Sequence, residues 1–212
     1  MATTKVDVNL IGATGTPGSG NFLRGDGTWN EAGGGAWEFV STAVASGSAN
    51  VSITGIDNTS DTWVVNIEGV NVATDSATLR IRTSNDTSSH SYDSGASDYG
   101  WRNFGRHADA DYKQYDESDA EIEVGADPFL HGNDATNSFS GWVKIHAPSN
   151  TTYHTLLTYE FVMLNDAATP LVQWKTGVAK RHAAEAVTAI QFYMSSGNFD
   201  TGRFTLLKCK HS

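Results

Sequence analysis

Apolar and polar residues alternate in short stretches along the chain from residue 36 onward. A period of two places every second side chain on the same face, which predicts half-buried antiparallel strands. Clusters of Gly, Asn, Asp, Ser and Thr between these stretches are typical of turns. The clearest stretches contain Val51 and Ile53, Val65 and Ile67, Leu79 and Ile81, Val143 and Ile145, Ile190 with Phe192 and Met194, and Phe204 with Leu206.

This pattern accounts for about eight to ten strands, the number that a two-sheet sandwich needs. We therefore expect an all-β fold, a jelly-roll-like antiparallel β-sandwich with an extended Gly-rich N-terminal arm. The one segment with a helical composition is the short, Ala-rich stretch 180–187. No period of about 20–50 residues recurs, so we do not expect a repeat array.

Glycine is concentrated near the N-terminus, where it supplies 9 of the 24 residues from 12 to 35 and only 12 of the 177 that follow. A segment with this much glycine cannot form a core of its own. We therefore divide the chain into a Gly-rich arm with a hinge, residues 1–35, and a β-sandwich domain, residues 36–212. Residues 6–10 alternate and could add a strand to a neighbour. The alternative for the arm is a disordered tail.

Residues 92–127 interrupt the alternation and combine six aromatic residues with ten acidic ones. We expect a long loop at about 85–127, because long loops on a rigid sandwich commonly carry binding residues. Aromatic faces stack on sugar rings, while amides and charged groups bind sugar hydroxyls. Alternatively, the aromatics pack beneath the loop as a small core. The candidate glycan-binding residues are Tyr92, Tyr99, Trp101, Arg102, Tyr112 and Tyr115.

Charge and composition exclude several function classes. The net charge of −10 repels phosphate backbones, so we expect no nucleic-acid partner. Cys209 is the single cysteine, which excludes an intramolecular disulfide and a cysteine-based zinc cage. Neither a signal peptide nor an apolar run of about 18 residues is visible, so we do not expect membrane insertion. A surface-type composition without a secretion signal fits a virion component released by lysis.

The chain lacks the common catalytic and cofactor motifs. It has no Gly-x-Ser-x-Gly elbow, no Walker-type loop and no His-Glu-x-x-His, and its seven histidines are scattered singly. We therefore expect no enzyme activity, no catalytic residue, no cofactor and no metal ligand. The acidic run at 109–123 does not match an EF-hand loop. Whether that run holds calcium or only water stays open.

The octapeptide Phe22-Leu23-Arg24-Gly25-Asp26-Gly27-Thr28-Trp29 follows a Gly/Thr/Pro/Ser-rich approach. It resembles a short motif of the tail fibres and other fibrous appendages of tailed bacteriophages, where it commonly lies at the edge of a trimeric segment. Its three large apolar residues need a partner to bury against, its two glycines permit a tight turn, and its charged pair could join within or between chains. The expected attachment and oligomer residues are Phe22, Leu23, Arg24, Asp26 and Trp29.

The order of strand-like segments is also similar to a β-sandwich domain of phage fibre, head-spike and decoration proteins. The segments that carry this likeness are 37–41, 49–55, 79–84 and 196–206. The resemblance implies a non-enzymatic virion surface protein, made in the host cytoplasm and released by lysis. It implies a homotrimer that contacts capsid or tail proteins as a head fibre, capsid decoration protein or short tail fibre, and that contacts host surface glycans.

Two other function classes remain open at this point. A stand-alone carbohydrate-binding module would be monomeric and would not need the apolar arm. A glycan-degrading enzyme would use paired carboxylates that flank a sugar in space, and single acidic residues within 109–127 would then be essential.

Overall fold

The computed structural model describes residues 14, 21–31, 36–107, 110–125, 131–165 and 171–209. These residues belong to two compact units, Met1–Glu38 and Phe39–Ser212. In the first unit, β1 (Asn21–Leu23) and β2 (Trp29–Glu31) form a small antiparallel hairpin. The strand expected at 6–10 and the hinge expected at 33–35 lie outside the described residues.

The second unit consists of two antiparallel sheets of unequal size. The larger sheet has the order β3-β14-β5-β10-β11-β12-β7-β8, and the smaller one has the order β4-β13-β6-β9. The described residues contain no helix. The strands are β3 (Trp37–Ser48), β4 (Asn50–Thr54), β5 (Thr62–Val72), β6 (Leu79–Ser84), β7 (Tyr99–His107), β8 (Ala110–Asp119), β9 (Ile122–Glu123), β10 (Phe139–His146), β11 (Leu156–Leu164), β12 (Val172–Arg181), β13 (Ala189–Met194) and β14 (Phe199–Cys209).

This architecture confirms the predicted all-β, jelly-roll-like antiparallel sandwich. Each stretch that alternates clearly in the sequence forms a strand, from Val51 in β4 to Leu206 in β14. The inward positions of these strands supply the core, because alternation turns every second side chain toward the other sheet.

An aromatic cluster joins the two sheets. Phe192 of the smaller sheet lies 5.2 Å, centroid to centroid, from Phe204 of the larger one, and Phe199 lies 5.5 Å from Phe204. All three rings are fully buried. Aromatic pairs at this spacing contribute about 0.5–1.5 kcal/mol each beyond the area that they bury. The cluster therefore fixes how the sheets face each other.

The expectation of a long loop at about 85–127 is wrong for residues 99–119. Residues 99–107 and 110–119 form the antiparallel hairpin β7–β8 at one edge of the larger sheet. The sequence hides β7 because its inward positions after Trp101 are Asn103 and Gly105, which are buried but not apolar. It hides β8 because an edge strand with few buried positions needs no apolar period.

The helical expectation at 180–187 is also wrong. Lys180 and Arg181 end strand β12, and the following residues are irregular. Arg181 is buried, and its guanidinium contacts the carboxylates of Asp93 at 2.6 Å and Glu185 at 3.0 Å. The long-range ion pair with Asp93 and the pairing of β12 outweigh the helical propensity of the alanines.

Titratable side chains occupy one part of the interior. His131 is fully buried with its ring centroid 4.3 Å from that of Phe139. Burial, with a further contribution from the charge of Lys175, lowers the pKa of His131 to about 3. Lys175 is itself fully buried, and burial lowers its pKa to about 7 although the Glu123 carboxylate opposes this shift. Protonating this region therefore destabilises the fold.

We predict a loss of stability in acid that depends on His131. Its folded-state pKa of about 3 lies below the ordinary 6.5. The stabilisation is therefore complete above pH 6.5 and is lost as pH falls toward 3. Between pH 7 and pH 4.5 this group should account for about 2–3 kcal/mol of unfolding free energy. Denaturant titrations at both pH values should show that His131→Gln loses this share of the pH dependence.

His154 provides the matched control because it is exposed. His154→Gln should retain the acid sensitivity of the unmodified chain. An unchanged pH dependence in His131→Gln contradicts the prediction.

Candidate functional site

The larger sheet turns one face away from the smaller sheet, and this outer face is unusually apolar. In the described part of the chain, ten of the thirteen exposed large hydrophobic residues belong to strands of this sheet, and none belongs to the smaller sheet. Exposed apolar surface concentrated in one place marks an interaction site. The ten residues are Trp37, Phe39, Val44, Phe104, Tyr115, Leu156, Val162, Val172, Trp174 and Val178.

A groove of about 520 Å³, here called groove 1, lies on this face across β11, β12 and β7. The strand register places Lys180 between Leu156 and Gly100. Gly100 leaves the groove open because it has no side chain. A Cβ there would lie 3.1 Å from Nε2 of His182 and 3.2 Å from Cε of Lys180.

Arg102 and Glu117 form one wall of groove 1. The guanidinium of Arg102 donates from Nε to Oε1 of Glu117 at 2.9 Å, and it also lies 5.2 Å from the ring centroid of Tyr115. Both charged side chains are at least half exposed. An exposed pair contributes little to stability. Its main effect is to hold a planar cation and a carboxylate beside an apolar floor.

Groove 2 has a volume of about 430 Å³ and adjoins groove 1, since Arg102 and Val178 line both. Its other walls include the exposed aromatic side chains of Phe104 and Tyr115. Phe104 packs edge-on against Trp174, with centroids 6.2 Å apart and planes at 79°. The two grooves together form a concave, mostly apolar surface with a few polar groups, which is the usual character of a ligand site.

Three of the six candidate glycan-binding residues lie at these grooves. Arg102 lines both grooves, Tyr115 lines groove 2, and Trp101 lines groove 1. Trp101 is nevertheless buried and belongs to the core, and its indole Nε1 donates to Oδ2 of Asp119 at 3.0 Å. Arg102 and Tyr115 face each other directly across β7 and β8, which accounts for their contact.

The other three candidates do not line either groove. The prediction that Tyr99 contacts glycan is wrong, because its side chain is fully buried and belongs to the core. Its hydroxyl oxygen accepts a hydrogen bond from the Thr83 backbone N–H at 2.8 Å, and burial raises the pKa of Tyr99 to about 12. Tyr112 and Tyr92 are half-buried. The alternative that these aromatics pack as core therefore holds for Tyr99.

Sequence reasoning missed the groove residues on β11 and β12, among them Leu156 and Val178. Strand β12 carries apolar residues outward at Val172, Trp174 and Val178, while Gln173 and Lys175 point inward. The alternation itself is visible in the sequence. The sequence does not show which of the two sets of alternating side chains is buried, because the apolar set is ordinarily assigned to the core.

The hairpin of the first unit shows how the octapeptide folds. The backbone N–H of Arg24 donates to the Thr28 carbonyl at 2.8 Å, and that of Gly27 donates to the Arg24 carbonyl at 3.0 Å. Gly27 has φ +80°, so a glycine is favoured there. The tight turn is therefore confirmed. Leu23 is exposed and Trp29 is half-buried.

The Asp26 side chain stabilises this turn. Its Oδ1 accepts hydrogen bonds from Oγ1 of Thr28 at 2.7 Å and from the Thr28 backbone N–H at 3.0 Å. The hydrogen bond from the Thr28 side chain is the main reason that the pKa of Asp26 lies below its ordinary value. Among the described residues, no ion pair joins Arg24 to Asp26.

The described acidic residues near β8 contact other side chains. Asp111 pairs with Arg106, Glu117 pairs with Arg102, and Glu121 pairs with both Arg80 and Arg82. Asp109 and Asp127 lie outside the described residues. Within the described part of the chain, no three His, Cys, Asp or Glu residues are grouped so that they could hold a metal ion. The same part contains no helix that could cross a bilayer.

Comparisons with known proteins add no constraint on the function. No protein-family model matches the sequence, and no curated protein matches it at a significant level. The function is therefore argued from the residues of this chain and from their geometry.

Proposed function

We propose that this chain is a non-enzymatic surface protein of a tailed-phage virion, exposing its β-sandwich to host glycans. It is anchored by its N-terminal arm as a head fibre, capsid decoration protein or short tail fibre. It assembles as a homotrimer, is made in the host cytoplasm and reaches the virion surface on lysis. The observation that carries the adhesive role is the pair of adjoining grooves lined by Phe104, Tyr115 and Arg102.

The grooves suit a saccharide for physical reasons. Tyr115 is 68% exposed and Phe104 is 37% exposed, so both rings offer apolar surface to the C–H groups of a sugar. Arg102 and Glu117 provide a donor and an acceptor for hydroxyl groups. Such a shallow site binds weakly by itself. Several copies on one particle convert weak contacts into stable adhesion, because each further contact is intramolecular.

The same grooves also support the stand-alone carbohydrate-binding module as a second candidate. Residues 1–35 have no role in that candidate, so deleting them would leave the chain a monomer with unchanged glycan binding. In the virion reading the arm is needed for attachment, and the number of copies per particle distinguishes a capsid protein from a tail fibre.

We predict that the groove aromatics carry glycan binding. Phe104→Ala and Tyr115→Ala should each weaken binding to immobilised bacterial surface polysaccharides by about tenfold, equivalent to about 1.4 kcal/mol. Tyr153→Ala is the matched control, since Tyr153 is 71% exposed and lines neither groove. Surface plasmon resonance on a polysaccharide panel measures the effect. Equal binding by all variants contradicts the role of these two aromatics, and no binding by the unmodified chain contradicts the adhesive role.

We predict that the apolar residues of the arm anchor the chain to the particle. Replacing Phe22, Leu23 and Trp29 together by Ser should abolish incorporation into virions, because the arm then has no apolar surface to bury on its partner. Quantitative mass spectrometry of purified particles measures the copies retained. The melting temperature of the β-sandwich should stay the same. Full incorporation of the triple variant means that the arm is not the anchor.

A further inference from the structure

The two edge strands of the larger sheet differ in charge. Strand β8 lies at one edge and carries four carboxylates and one lysine. Charged side chains on an edge strand oppose pairing with another chain, which is how monomeric sheets avoid aggregation. This edge is therefore protected. Its charged residues are Asp111, Lys113, Asp116, Glu117 and Asp119.

Strand β3 lies at the opposite edge and lacks such protection. It is twelve residues long, and positions 39–48 contain neither a charged residue nor a proline. Phe39 is 61% exposed and Val44 is 66% exposed. Toward the sheet the strand is held by β14, where Oγ1 of Thr42 donates to the Phe204 carbonyl at 3.3 Å. A long, neutral edge with exposed apolar side chains favours association.

We infer that strand β3, through Phe39 and Val44, is the contact between copies of this chain. The inference rests on the homo-oligomer of the proposed function and assigns it a surface. Copies that each carry a net charge of −10 repel one another. The uncharged strip 39–48 is where two copies approach with the least repulsion, and the acidic β8 edge opposes such an approach. A second copy therefore associates more favourably with the β3 edge than with the β8 edge.

This contact leaves groove 2 free. Groove 2 lies at β12, β7 and β8, and four strands lie between β12 and β3 in the sheet order, which makes five inter-strand spacings. Neighbouring strands lie about 4.8 Å apart, so groove and contact are more than about 20 Å apart. Self-association at one edge and glycan contact near the other edge are therefore compatible.

The test uses the full-length chain with Phe39→Glu and Val44→Glu together. Its matched control is Val162→Glu with Val172→Glu, since both positions are exposed on the same sheet and line neither groove. Both double variants change the net charge from −10 to −12, two added carboxylates in each case. Sedimentation velocity over a range of concentrations should show an oligomer for the unmodified chain and for the control. The β3 variant should be a monomer, with association weakened at least 100-fold.

A monomeric unmodified chain overturns the inference, and so does a β3 variant that still assembles. Dissociation of the control alone also overturns it, because the contact then lies on β11 and β12. Should the β3 variant not fold, hydrogen exchange of the unmodified chain decides. Amides of 39–48 should exchange more slowly in the oligomer than after dilution, whereas those of 110–119 should not change, and the reverse result refutes the inference. Glycan binding is measured separately, so failure of the adhesive role does not imply failure of the β3 contact.

Discussion

The fold depends on burying the inner faces of two unequal sheets against each other. Phe192 contributes from the smaller sheet, and Phe199 and Phe204 contribute from the larger one. The contact between β9 and β7 includes a polar interaction, since the side-chain amide of Asn103 donates to the Glu123 carbonyl at 2.8 Å. This packing decides which phase of every alternating strand is buried. It thereby decides which side chains remain for binding.

Strand β12 shows the consequence most clearly. Its inward positions hold Gln173 and the fully buried Lys175, while Val178 and Trp174 face outward. Burying a lysine is costly, as its lowered pKa of about 7 reflects. Exposing apolar side chains is also unfavourable in a monomer. A strand that combines both features is better explained by a functional outer face than by stability alone.

The candidate site was only partly predictable from the sequence. Arg102 and Tyr115 were found because aromatic and charged residues cluster around them, and the β7–β8 register brings them together. Tyr99 was misassigned because the same cluster contains core residues, and composition does not separate one strand face from the other. Leu156 and Val178 were missed because they come from strands distant in sequence and look like ordinary core positions.

The sequence by itself determined the strands that alternate clearly and the turn of the octapeptide. Alternation and turn residues are local, and a glycine at Gly27 meets a local backbone requirement. Only the tertiary structure decided that 99–119 forms a hairpin, which face of β12 is exposed, and that β3 and β8 are edges. These properties depend on which strands pair across long separations. A period of two fixes the alternation of a strand but not its neighbours or its buried phase.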